Sequence, residues 1–271
     1  MKKNIYSYLM FPIYLFLAFF VANSLNAQNN SIKEPKFEKV DACAKDKIYF
    51  KEKDIEKLAK ALNRCATRGI SKEISKSNSF KEVLAINKAR AITVWMAENL
   101  DYDDTYNKDK CDPNMSNYDE KNHDVENILK NRQVVCEGYA YFFVELSKKM
   151  GLNAKHVSGY AGKNQDTSHA WNIFEVPNEG WYHIDVTWFD NKDKPYCGKL
   201  KAKDVAARKY KLLNNDYNFT NKEKNVSANN GYLQQYFMPD PYIFIEDHFP
   251  KNPEYQLINP PIKKEDYLSS K

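Results

Sequence analysis

The apolar positions of this chain change period along its length, and each change marks a change of element. In "EKDIEKLAKALNRCA" the apolar residues fall at Ile55, Leu58, Ala59, Leu62 and Ala66, one stripe of a helix. "SNSFKEVLAINKARAITVWMAENL" repeats that pattern over a longer span, with Phe80, Val83, Leu84, Asn87, Ala91, Val94 and Trp95 on the stripe. Ser79 opens it and Glu82 follows at capping-box spacing. A polar, acidic stretch from Asp101 onward reads as loop. Its cluster Asp101, Asp103, Asp104 lacks the glycine and closing glutamate of a calcium-binding EF-hand, so it reads as solvated. "DVENILKN" is a short helix. "CEGYAYFFVELSKKMG" is a longer one, with Ala140, Phe143, Val144, Leu146 and Met150 on its buried face and Gly151 to end it.

Beyond Gly151 the period falls to two. "NAKHVSGYAG" alternates, and "SHAWNIFEV" and "GWYHIDVTWF" are β-branched and aromatic, joined by "PNEG" as a hairpin. Helices come first and strands later, which predicts an α+β fold rather than alternating α/β. No internal repeat interrupts this order.

The N-terminus obeys a different rule. Lys2 and Lys3 precede a mostly apolar run from Ile5 to Val21, and "LNA" stands before Gln28. That is the pattern of a secretory signal peptide cut after Ala27, with an uncleaved anchor as the alternative. Residues 28–39 read as a flexible tether. A main domain over residues 40–240 and a C-terminal extension over 241–271, packed on that core, account for the rest. The expected location is secreted or periplasmic, with no membrane association once the signal is removed. The net charge is +5, but lysines and acids are interspersed, and nucleic acid would want a concentrated basic face.

Export places the five cysteines, Cys43, Cys65, Cys111, Cys136 and Cys197, in an oxidising compartment. An odd count leaves at least one thiol without an internal partner, and no C-x-x-C spacing suggests zinc. With Cys136 free, three pairings of the other four are open. We expect Cys43–Cys65 and Cys111–Cys197.

Cys136 is the candidate for chemistry because it opens its helix. Free N–H groups and the positive dipole end favour a thiolate there, whereas a packing cysteine sits more naturally mid-helix. A thiolate needs a base, and His169 starts the strand "HAWN" beside a polar loop. His156 and His183 have strand positions, His123 precedes a surface helix, and His248 lies in a Pro-bounded tail. A base needs an orienting group, and Asp185 stands in the partner strand between Ile184 and Val186, where an unpaired carboxylate would be costly. A plain hairpin closed on Val176 and Gly180 would set Asp185 opposite Trp171, with His169 as a diagonal neighbour on the same face; a bulge at Gly180 would change that register.

Together, "VVCEGYAYFFVELSKKMGL", "VSGYAG", "SHAWNIFEV" and "GWYHIDVTWFD" resemble the transglutaminase-like superfamily. "NKARAITVWMAENLDYD" and the "DP", "H-P" and "QL" steps of the C-terminal extension are similar to its kyphoscoliosis-peptidase-like branch. The resemblance spans roughly Ser79 to Tyr267. It implies a transglutaminase-like or papain-like core, with the nucleophile at a helix N-terminus packed on an antiparallel sheet. It further implies Cys136 as nucleophile, His169 as base and Asp185 as orienting carboxylate. Oxyanion donors would be the Cys136 backbone N–H and, by chemistry alone, the Gln133 amide, which equally well caps the helix start. Trp188 would pack behind the aspartate, and Asn172 would support the hairpin. No cofactor or metal is expected. The expected substrate is a protein or peptide amide, converted to a thioester acyl-enzyme. Water as acceptor makes a peptidase or amidase; an amine makes an acyltransferase. The alternative is a non-catalytic binding or scaffold module of the same fold. A peptidoglycan-peptide amidase is a third reading, suggested by export alone.

Overall fold

The computed structural model describes residues 37–46, 52–102, 124–162, 167–190 and 234–265. The span expected to be a signal peptide, most of the span expected to be a tether, and Cys111, His123 and Cys197 lie outside the described residues. Helix α1, Glu38–Ala44, begins inside the span read as tether, and Phe37 before it packs edge-on against Phe237. Helix α2, Ile55–Arg68, is capped by Asp54, whose carboxylate accepts from the N–H groups of Glu56 and Lys57. It buries Leu58, Ala59, Leu62 and Ala66, as the stripe requires. A Cys43–Cys65 disulfide joins α1 to α2.

Helix α3, Phe80–Asn99, departs from the one-stripe expectation. It buries residues all around, from Glu82 and Val83 to Trp95 and Asn99, because α1, α2 and later elements surround it. Its start also differs. Ser79 makes no side-chain cap, and Glu82 bonds the Asn178 amide of the distant hairpin turn instead of reaching back. A tertiary partner has displaced the local one.

Helix α4, Val125–Asn131, is capped by Asp124. Between α3 and α4 comes strand β1, Asp101–Tyr102; after α4 comes β2, Gln133–Val134, and the two pair in parallel. Helix α5, Cys136–Met150, follows at once and ends at Gly151, whose φ of 64° is the left-handed conformation glycine supplies without strain.

Strands β3 (Ala154–Ala161), β4 (Thr167–Val176), β5 (Gly180–Ile184) and β6 (His248–Pro250) form one antiparallel sheet in the order β5-β4-β3-β6. The hairpin closes on Val176 opposite Gly180, the register expected from the turn. Helix α5 packs across β3 and β4, and the Asn172 amide donates to the Ala140 carbonyl at 2.9 Å, tying helix to sheet. Gly159 pairs with His169 on one side and Pro250 on the other. A β-carbon there would collide with the Trp171 ring and come within 2.5 Å of the Phe249 carbonyl, so only glycine lets β6 lie this close. Short helices α6 (Val186–Phe189) and α7 (Pro241–Phe244) flank the sheet. No helix among the described residues is long and apolar enough to cross a membrane.

Candidate active site

The site is assembled where the N-terminus of α5 meets the ends of β4 and β5. Cys136 is the first residue of α5, is half-buried, and carries a free thiol. Val135 before it makes no side-chain cap, and the positive end of the helix dipole lies at the thiol. His169 near the start of β4 is buried, and its Nε2 lies 2.7 Å from Asp185 Oδ2. The Cys136 thiol hydrogen-bonds the same imidazole. Burial disfavours the charged ring, but the Asp185 carboxylate, its hydrogen bond and the thiol outweigh that and push the His169 pKa up to about 10.

Asp185 does not stand inside the partner strand. β5 ends at Ile184, and Asp185 caps α6, its Oδ1 accepting from the Trp188 N–H at 3.1 Å. The strand-to-helix turn aims the carboxylate at β4. Asp185 is 0% exposed. Burial alone would raise its pKa; His169 and then His248 overcome this and hold it far below the usual carboxylate range.

His248 is the residue that reading the sequence missed. It is fully buried in β6, with Nε2 2.9 Å from the same Asp185 Oδ2 and Nδ1 2.5 Å from Asp247 Oδ1. The signal was present in "EDHFP", where an acid precedes a histidine followed by apolar residues. Gln133, by contrast, stands exposed in β2, and no described hydrogen bond joins its amide to the thiol. Trp188 lies against both histidines, with ring centroids 5.5 Å from His169 and 4.5 Å from His248. Trp171 is buried in the core beneath them. Trp181 is half-exposed and carries Lys155 over its ring.

His169, Asp185 and His248 are also the group among the described residues that could hold a metal ion. Both imidazoles already meet one carboxylate oxygen at hydrogen-bond distance, so direct N–H donation satisfies the cluster as it stands. The arrangement suits proton sharing: a thiol, an imidazole that can take its proton, and a dry carboxylate behind.

Residues 68–186, which carry Cys136, His169 and Asp185, match the Transglutaminase-like superfamily. This segment belongs to that superfamily. The chain is similar to kyphoscoliosis peptidase of Homo sapiens and of Mus musculus, at 26% identity over 185 residues in each case. The match takes in 65% of this chain but 22% of each relative. A crystal structure of a TGase covers 70% of this chain and 41% of its own, at 20% identity and a TM-score of 0.34.

Proposed function

We propose that this transglutaminase-like protein is an exported cysteine enzyme that forms a thioester acyl-enzyme on protein or peptide amides. The observation that carries the reading is the placement of His169 between the Cys136 thiol and a fully buried Asp185. In this reading the Cys136 sulfur gives its proton to His169 and attacks the amide carbonyl carbon. The α5 N-terminus, including the Cys136 N–H, stabilises the oxyanion. His169 returns the proton to the amine as the C–N bond breaks, and Asp185 holds the ring oriented throughout. Water or a second amine then takes the acyl group from sulfur. The name kyphoscoliosis peptidase among the relatives favours water as acceptor. The Cys43–Cys65 disulfide fits export, as does the leader pattern of residues 1–27.

The test is the pH dependence of Cys136 alkylation in the purified protein, beside His169→Ala. Alkylation well below the free-thiol pKa of about 8.5, lost in the mutant, is expected for a thiolate–imidazolium pair. An inert thiol, or one indifferent to His169, overturns the reading. One observation favours the non-catalytic alternative: Tyr242 and Ile243 on α7 are 58% and 62% exposed, as a partner surface would be. A partner that binds Cys136→Ala as well as the unaltered protein would support it.

A further inference from the structure

We infer that His248, backed by Asp247, is a positioning residue of this site: it holds the Asp185 carboxylate against His169, so that residues 234–265 complete the catalytic apparatus. The inference rests on the reading of Cys136 as nucleophile, and it adds a residue pair from outside the 68–186 segment.

Asp185 is buried beyond the reach of water and accepts three N–H groups, from His169, His248 and the Trp188 backbone. Two of these are imidazole Nε2 atoms on the same oxygen. His248 is itself fixed from behind, because Asp247 Oδ1 meets its Nδ1 and Asp247 Oδ2 accepts from the Tyr236 hydroxyl at 3.2 Å. Each ring nitrogen of His248 thus faces a carboxylate oxygen, and Nε2 reaches Asp185 Oδ2 beside the His169 ring.

The ring cannot swing away. Phe244 stacks on it at 4.1 Å between centroids with planes 14° apart, and Trp188 and Trp171 close its edges at 4.5 and 5.1 Å. β6 places it, with His248 in register with Ala161 of β3. The titratable groups facing His248 are His169, Asp185, Asp247, Tyr236 and, beyond Phe244, His183. Asp247 is the one with a path to solvent, its side chain 25% exposed. The chain of contacts therefore runs from the surface at Asp247, through His248 and Asp185, to His169 and the thiol. A histidine there for packing alone would not need a carboxylate at each nitrogen.

The experiment compares the rate and pH profile of Cys136 alkylation in the unaltered protein, His248→Phe and His248→Gln. Phenylalanine keeps a ring in the aromatic box and removes both ring nitrogens; glutamine keeps an amide donor. For His248→Phe the plateau rate is expected to fall about 10- to 100-fold, the loss typical of a displaced catalytic group. The pH of half-maximal alkylation is expected to rise by about one unit, because Asp185 loses a contact that holds it against His169 and the imidazolium supports the thiolate less well. His248→Gln recovers part of the rate. A His248→Phe protein with unchanged rate and profile overturns the inference. An unaltered protein whose thiol ignores His169 overturns the underlying reading instead. Should His248→Phe fail to fold, ring nitrogen-15 spectra of the unaltered protein decide: an N–H on His248 Nε2 supports the inference, and a bare Nε2 overturns it.

Discussion

Two of the acid–base pairs buried among the described residues, Arg90–Asp41 and His169–Asp185, differ in what surrounds them. Arg90 of α3 grips Asp41 of α1 in a fork, Nε to Oδ1 at 2.7 Å and Nη2 to Oδ2 at 2.6 Å. Its remaining Nη1 meets Gln234 at 2.6 Å, and the guanidinium lies over Phe37, Phe189 and Phe237. Every partner is satisfied, and neither member hands a proton to a reactive neighbour. His169 and Asp185 are equally dry, but the imidazole also touches a half-exposed thiol at a helix N-terminus. Burial and ion pairing are common to both pairs. A titratable base with an open neighbour belongs to one, and that difference separates a structural clasp from a candidate catalytic site.

The sharpest way to break the comparison is to neutralise each carboxylate. Asp185→Asn should leave the fold largely intact and lower the rate of thioester formation by about 10³-fold or more, since the ring loses both orientation and charge support. An alkylation rate within a few-fold of the unaltered protein would return Asp185 to the structural class. Arg90→Met should do the opposite. Stranding Asp41 without its partner costs about 3–5 kcal/mol of stability, read as a large fall in denaturation midpoint, while the fraction still folded keeps its thiol reactivity. The double change Asp41→Leu, Arg90→Met should recover most of that stability. A double mutant as weak as the single one would mean the pair does more than satisfy itself.

The same contrast explains what could be read from residues alone. Local rules placed Cys136 at the head of α5, Gly151 at its end and the hairpin on Val176 and Gly180, because caps and turns are written in neighbouring residues. They misplaced what tertiary contacts decide. Glu82 abandoned Ser79 for Asn178, on a turn 96 residues away, and α3 lost its polar face to the elements packed round it. Asp185 read as a strand residue because Ile184 and Val186 flank it, yet it starts a helix. His248 meets Asp185 across 63 positions, and no periodicity reports such a contact.

A subtler pH effect separates His169 from His183, two buried histidines on adjacent strands. The His183 Nδ1 faces the Trp171 indole N–H and its Nε2 the Gln256 carbonyl, both at 3.3 Å, which suits a neutral ring. Burial, only partly offset by the Gln256 bond and reinforced by the charge of His248, takes its pKa down to about 3. The two groups load stability in opposite senses. His169, raised from 6.5 to about 10, contributes stability that is full below pH 6.5 and lost as pH rises towards 10. His183, lowered from 6.5 to about 3, stays neutral while the unfolded chain takes up a proton, so stability falls as pH drops from 6.5 towards 3. Each slope is at most about 1.4 kcal/mol per pH unit for a single group, so stability should peak near pH 6.5 and decline on both sides. In denaturant melts across this range, His169→Gln should flatten the alkaline decline and leave the acid one. If His169→Gln instead steepens the alkaline side, the native imidazole does not carry its proton there, and the thiolate–imidazolium pair loses its thermodynamic footing.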